Sequence, residues 1–456
     1  MITKIEISGF KSFSNFEMVF TPFTIIAGTN ASGKSNLFDA LRLLSSLASF
    51  DLRSAFSFPE QRGSIDELFS VYATNKAVSE MSFAVEMLVK RTVEDNWGAC
   101  GDIKTPRLRY ELTIARRKNE KEFEELYVKH ECLSKINPEN DTWAKTYLGN
   151  KHKNIWKSTQ SGGTSRPYIY TEDINKVTTI KIRQDGKQGG KATVANSINQ
   201  TVLGSVTSAD FPHAFAAREE LRSWNFMQLN PEILREPTKQ ETNFCDKIGH
   251  SGENLAAALF RLKCDDEYNL IEISRALKTF LPEYTNVDVK DDKANKLFVI
   301  TISNEDGKIF TSRVLSEGTL RLLALCILLV DEQHQGLLCF EEPENGIHPF
   351  RIKAMVQLLR DLSMDLDNPD NLLRQVIINT HSPSLLQEVY NMGEDKRISI
   401  WFSRLMTRIA TVEGERAIMK TSKMVPLTDD LRLPFTEAEV NMTIIEAQNY
   451  LKKKEN

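Results

Sequence analysis

The stretch Gly28-Thr29-Asn30-Ala31-Ser32-Gly33-Lys34-Ser35 decides how the rest of the chain is read. It has the spacing G-x-x-x-x-G-K-S. It stands between an apolar run, Phe23–Ala27, and a segment of helical periodicity from Lys34 to about Leu47. The two glycines let the backbone curl so that its N–H groups point inward, and the positive end of the following helix faces the same point, which is a cradle for phosphate. Lys34 would reach the β- and γ-phosphates of a nucleotide and Ser35 would bind Mg²⁺. Gly28, Thr29, Asn30, Ala31, Ser32, Gly33 and the next residue, Asn36, complete the expected binding set. Strand, loop and helix in this order predict an α/β nucleotide-binding fold.

A second stretch fits the same chemistry. Leu337–Phe340 is an apolar strand that runs into Glu341-Glu342-Pro343-Glu344-Asn345. Neighbouring strand residues point to opposite sides, so one carboxylate can hold the Mg²⁺ shell while the next polarises an attacking water. Upstream, Leu315-Ser316-Glu317-Gly318-Thr319 precedes an apolar helix, Thr319–Val330, with Ser316 as its N-cap. Downstream, Asn379-Thr380-His381-Ser382-Pro383 follows the strand Gln375–Asn379.

Around these motifs the chain divides into residues 1–80, 81–212, 213–390 and 391–456. The first part opens with strand-like runs at Ile2–Ser8 and Asn15–Phe20. The second predicts antiparallel strands at Ser82–Lys90, Leu108–Arg116 and Glu122–Cys132, then a polar, turn-rich stretch over 134–210 that reads as an insertion. Helices are expected at His213–Trp224, Glu253–Leu262, Tyr268–Phe280 and Pro349–Leu362, and a hairpin-like pair at Leu297–Ser303 and Lys308–Val314. The tail predicts a strand at Ile398–Phe402, a hairpin about Glu413-Gly414-Glu415 and a closing helix from Thr436 to about Lys454.

The chain has 456 residues, 58 Lys and Arg against 62 Asp and Glu (net −4), 41% hydrophobic and 26% charged residues, which is a folded protein's composition. This balance excludes a surface coated with phosphate-binding charge, but not a local patch. Residues 145–191 hold ten Lys or Arg and three Asp or Glu, with Tyr147, Trp156, Tyr168 and Tyr170 interleaved. That is a candidate nucleic-acid contact. Six scattered cysteines without a Cys-x-x-Cys pair fit a reducing compartment. With no signal-peptide core, and with Leu322–Val330 as its longest apolar run, the chain is expected to be cytoplasmic and free of membrane.

Taken in order, GTNASGKS, LSEGT, CFEEPENGIHP and NTHSP resemble the Walker A, signature, Walker B and switch-histidine motifs of ABC-type ATPases. The likeness is greatest to the soluble branch of RecF, SMC proteins, OLD nucleases and the AAA ATPases of bacterial anti-phage systems. The opening strand from Ile5 to Phe13 is also similar to that branch. The resemblance implies an ABC-type P-loop ATPase head with an antiparallel β lobe and a polar insertion, using ATP and Mg²⁺. Glu341 would be the Mg²⁺-associated acid, Glu342 the general base and His381 the γ-phosphate sensor. Ser316 and Gly318 would contact ATP held by a second subunit, Asn345 would lie in the loop crossing between the two sites, and Gln61 is the nearest candidate for a Gln switch. The expected partners are a second copy of the chain and a separate effector, a nuclease or toxin, in an anti-phage complex. A RecF/SMC-like DNA-maintenance ATPase that binds DNA directly is the alternative. The 66 residues after 390 include adjacent acids, Asp429 and Asp430, but show no two-metal carboxylate pattern, so no nuclease activity is expected of this chain.

Overall fold

The computed structural model describes residues 1–427 apart from 59–60, 73–76, 119–121, 123, 149–155, 157–165, 175–176, 185–189, 195–198, 241–245, 369–371, 394 and 413–414. The chain opens with β1 (Ile2–Ser8), β2 (Phe16–Val19) and β3 (Phe23–Gly28), then α1 (Lys34–Leu47), α2 (Leu52–Phe56) and α3 (Ile65–Leu68). Strands β4 (Glu80–Leu88), β5 (Thr92–Glu94), β6 (Cys100–Asp102), β7 (Arg107–Lys118) and β8 (Glu124–Lys135) follow. After α4 (Thr142–Tyr147) come β9 (Ile169–Ile174), β10 (Val177–Arg183), β11 (Gly190–Val194) and α5 (Pro212–Arg222). The middle holds β12 (Asn225–Met227), α6 (Pro231–Arg235), β13 (Thr238–Lys239), α7 (Leu255–Asp265), α8 (Tyr268–Phe280), β14 (Tyr284–Asp292), β15 (Leu297–Asn304) and β16 (Ile309–Thr311). Next are α9 (Glu317–Val330), β17 (Gly336–Glu341), α10 (Pro349–Leu362), β18 (Arg374–Thr380) and α11 (Pro383–Tyr390). A long hairpin, β19 (Ile398–Val412) and β20 (Glu415–Pro426), ends the described chain.

Two large sheets organise these elements. The six-stranded sheet has the order β12-β17-β18-β3-β19-β20, parallel from β12 to β19, with β20 antiparallel at the edge. Strands buried on both faces need near-continuous apolar runs, and every residue of β3 and β18 is buried. Their side chains alternate between two cores. Ile26, Leu337, Cys339, Ile377 and Trp401 face the core shared with α1 and the antiparallel sheet. Phe23, Ile25, Leu338, Phe340, Val376, Ile378 and Phe402 face the core built on α7 to α11. Helix α9 lies in that second core, and from Leu322 to Leu328 all of it is buried, which is why its sequence is apolar all round.

The eight-stranded antiparallel sheet has the order β11-β10-β9-β8-β7-β4-β1-β2. Its burial alternates, as in β1 and β7, because one face packs on the core and the other does not. The stretch over 134–210, read as a polar insertion, contributes β9, β10 and β11 to this sheet. Its aromatics are engaged internally. Trp156 is buried beside Trp143 and Met364, Tyr147 packs on Trp143 at 5.4 Å, and Tyr168 stacks on His213 at 4.4 Å. Most of the lysines that make this stretch basic lie outside the described residues, as do the expected closing helix and Asp429 and Asp430. Strand β14 was not expected; its alternation is interrupted by four Asp or Lys residues, yet it pairs with β15 along nearly its whole length. Cys326 and Cys339 are buried free thiols.

Candidate active site

Strands β17, β18 and β3 are side by side and parallel, so the segments that follow them emerge at one edge of the sheet. That edge is where α/β folds bind ligands. After β3 the loop 28–33 turns through left-handed conformations at Ala31 (φ 61°) and Gly33 (φ 97°) into α1. Lys34 is buried, and its Nζ donates to the carbonyls of Gly28 and Thr29, both at 2.8 Å. Burial lowers its pKa, partly offset by the nearby carboxylates of Glu342 and Glu344. Thr29, Asn30 and Ala31 form an exposed arc, whereas Ser32 is buried with its hydroxyl unpartnered among the described residues.

Glu341 ends β17 and Glu342 follows it, and their carboxylates take different partners. Glu341 accepts from Arg62 Nη2 at 3.0 Å. Glu342 has φ 48°, a strained backbone for a non-glycine residue, held by its N–H bond to the carbonyl of Asn379 at 2.8 Å. Its carboxylate is bonded by His381 Nδ1 and by Asn345 Nδ2, each at 2.8 Å. Burial alone would raise the Glu342 pKa, but these two bonds and the charges of His381 and Lys34 outweigh it and hold the group below its usual value. A base anchored at two points and kept ionised suits deprotonation or polarisation of a water.

These features match a family profile described as "AAA domain, putative AbiEii toxin, Type IV TA system" over residues 23–387. The chain belongs to this family. It carries the AAA-type ATPase domain of that family. It is 28% identical over 148 residues to protein ea59 of Escherichia phage lambda, covering 32% of this chain and 26% of that protein, so the match spans about a quarter of the relative's length. Among solved structures it is similar to an SMC head bound to the C-winged helix domain of ScpA (14% identity, 94% of this chain and 98% of that one, TM-score 0.49). It is similar also to the SMC head domain from Thermotoga maritima (13% identity, 94% and 99% coverage, TM-score 0.38).

In this ATPase the expected site residues fall into three groups. Lys34, Ser35, Glu341, Glu342, Asn345 and His381 gather at the edge just described. Ser316 and Gly318 sit on the helical side: Ser316 is exposed and caps α9 by accepting from Thr319 N at 3.2 Å. Buried Gly318 packs against the backbone of Gly346, where a Cβ would lie 3.4 Å from its carbonyl oxygen. No hydrogen bond among the described residues joins either to the phosphate loop. The third group is Gln61 and Asn36. Gln61 is buried with both amide atoms unpartnered among the described residues, and Asn36 donates to Ser12 Oγ at 2.8 Å.

Four further residues shape the site. Arg62 spans Asp39 Oδ1 at 3.0 Å, the Ser35 carbonyl at 3.3 Å and Glu341. Asn379 sits opposite Glu341 in the sheet register and donates to Ser35 Oγ at 3.2 Å, leaving its own Oδ1 buried and unpartnered. Glu344 is buried, which raises its pKa; Thr380 Oγ1 donates to one oxygen and the other has no partner among the described residues. Asn379, Thr380 and Glu344 stood inside quoted motifs; a buried oxygen without a partner among the described residues marks Asn379 and Glu344, and its bond to Glu344 marks Thr380. Arg62 carried no sequence signal beyond its place after Gln61. Ser35 Oγ, Glu341 and the orphaned Asn379 oxygen are hard donors that fit Mg²⁺. Among the described residues no helix is long and apolar enough to cross a membrane.

Proposed function

We propose that this chain binds and hydrolyses MgATP at a site completed by a second copy, and that the nucleotide state switches a separate effector in an anti-phage complex. The observation that carries the reading is the convergence of Lys34, Glu342 and His381 at the ends of three adjacent parallel strands, with Glu342 bonded to His381 at 2.8 Å. Residues 28–36 would cradle the phosphates, Ser35 and Glu341 would hold Mg²⁺, and the bound ion would spread the charge of the transferring phosphoryl group. To reach a phosphate, Lys34 Nζ exchanges the carbonyls of Gly28 and Thr29 for phosphate oxygens. Glu342 accepts a proton from the attacking water, and His381, on the same carboxylate, orients it and reports the γ-phosphate. Arg62 would swing off Glu341 as the cation enters.

Among the described residues no hydrogen bond joins Ser316 or Gly318 to the phosphate loop of their own chain, which favours their serving a partner's nucleotide. The defence role draws its support from the family's description, which names a toxin of a toxin–antitoxin system. The purified chain is expected to hydrolyse ATP with Mg²⁺ and to lose nucleotide binding in Lys34→Ala. Mixing Lys34→Ala with Ser316→Arg subunits should restore one of two sites per heterodimer; no recovered activity, with subunit exchange verified, would reject the two-subunit site. DNA and RNA incubated with the pure chain, Mg²⁺ and ATP should remain uncut. Nucleolysis that persists in Lys34→Ala would overturn the separate effector.

A further inference from the structure

The hairpin β19–β20 lies outside the residues matched to the family, yet it touches the phosphate loop at its two glycines. Strand β19 pairs with β3 as far as Ser403 opposite Gly28; beyond that point it pairs only with β20. A Cβ on Gly28 would overlap the Ser403 carbonyl, and one on Gly33 would overlap the Ser422 side chain. Both positions have positive φ (147° and 97°), so glycine is required there by backbone and by neighbour alike. Ser403 is fully buried and its Oγ donates to the carbonyl of Ser32 at 2.9 Å. Ser422 is buried; its Oγ is 2.7 Å from Ser12 Oγ and its N–H donates to the Ser12 carbonyl at 2.8 Å. Ser12 Oγ in turn accepts from Asn36 on α1.

Three side-chain hydrogen bonds hold the backbone of residues 28–33 among the described residues: two from Lys34 and one from Ser403. Lys34 must release its two to reach a phosphate. The bond from Ser403 is then the one that remains, while Ser422 fills the space behind Gly33. We propose that the β19–β20 hairpin is the back plate of the phosphate loop, and that Ser403 and Ser422 are positioning residues that keep its N–H groups aimed at the nucleotide. The left-handed residues of the loop are costly to hold and persist only where surroundings over-determine them, and the hairpin supplies that constraint from the far end of the chain.

The inference rests on the nucleotide-binding reading, and the test separates the two. Binding of a fluorescent ATP analogue with Mg²⁺, ATPase KM and kcat, and the melting temperature without nucleotide are measured for wild type, Ser403→Ala, Ser403→Thr and Ser422→Val. Loss of one neutral hydrogen bond predicts a rise in Kd and KM of about five- to tenfold in Ser403→Ala, with kcat within about threefold and Ser403→Thr returning toward wild type. Ser422→Val, which pushes a methyl toward Gly33, should weaken binding more. A folded Ser403→Ala protein that binds the analogue within about twofold of wild type overturns the proposal, including when its melting temperature falls, because that is the mark of a purely structural role. If Ser422→Val does not fold, Ser403→Ala decides alone. A wild type that binds no nucleotide overturns the functional reading and this proposal together.

Discussion

On the eight-stranded sheet, Arg109 lies among three carboxylates, donating to Glu6 at 2.8 and 3.0 Å, to Glu111 at 2.8 Å and to Glu86 at 3.3 Å. Nearby, Arg107 holds Asp141 through two bonds at 2.8 and 2.9 Å. At the ligand edge of the six-stranded sheet the pattern is reversed. Ser32 Oγ, Asn379 Oδ1 and Glu344 Oε2 are buried without partners among the described residues. A buried polar group left unpaired costs about 1–3 kcal/mol, and a strained φ such as that of Glu342 costs a similar amount. One sheet spends its polar groups on itself; the other leaves them open where a ligand rich in oxygen and metal would close them. If the contrast is functional, changes at the open edge alter chemistry, and changes on the satisfied sheet alter stability alone.

The largest expected effect is at Glu342. Replacing it by Gln keeps the side chain's shape but removes the base, so turnover should fall ~10²–10⁴-fold with ATP binding retained. Hydrolysis at the wild-type rate would break the contrast at its centre.

The next test concerns a costly group of the satisfied sheet. Glu131, on β8, is fully buried and accepts from the backbone N–H groups of Val202 and Leu203, each at 2.8 Å, and from Tyr110 Oη at 3.1 Å. Burial nevertheless pushes its carboxyl up to about 7. Because the folded-state value is raised, the neutral acid's contribution is complete below the unfolded value near 4.5 and is lost as pH rises to about 7. Between pH 5 and 8 the wild type should lose about 2–3 kcal/mol relative to Glu131→Gln, whose stability lacks this term. Parallel urea profiles for the two proteins would remove Glu131 as an exception.

Glu344 gives a smaller effect of opposite character. Glu344→Gln removes a carboxylate that burial already disfavours, so the nucleotide-free chain should melt no lower than wild type. Turnover should fall about tenfold, because the charge facing Lys34 and the acceptor for Thr380 in the His381 segment are altered together. A variant that is both less stable and fully active would place Glu344 with the scaffold.

How far the contrast was legible in the sequence follows from the same physics. Helices with strong local signals, Lys34–Leu47, Tyr268–Phe280 and Pro349–Leu362, have the ends that periodicity, glycine and proline imply. The strands of the ligand edge were legible because burial on both faces leaves an apolar run ending in a motif. Strand β14 and the strands β9 to β11 were not, because their support comes from distant partners: β14 from β15, and β9 from β8 through the pairing of Leu133 with Ile169. Arg62 reaches Glu341 across 279 positions and Ser403 reaches Ser32 across 371, separations at which no local pattern survives.

The smallest effect is predicted for Arg109 itself. Its side chain is 25% exposed; its bonds to Glu6 and Glu111 raise its pKa, it lowers that of Glu6, and His130, with Arg109 after it, lowers that of Glu111. Partly exposed ion pairs contribute little singly, and a network of them only somewhat more, because water and salt already solvate the separated charges. Arg109→Met keeps the stem packed between β1, β4 and β7 and removes the guanidinium, leaving Glu6, Glu86 and Glu111 to repel one another. The expected loss of stability is about 1 kcal/mol or less, shrinking at high salt, with ATPase KM and kcat within about twofold of wild type. A much larger loss of turnover at unchanged stability would show that the antiparallel sheet takes part in the nucleotide cycle, and the division between a satisfied scaffold and an open site would then have to be drawn elsewhere.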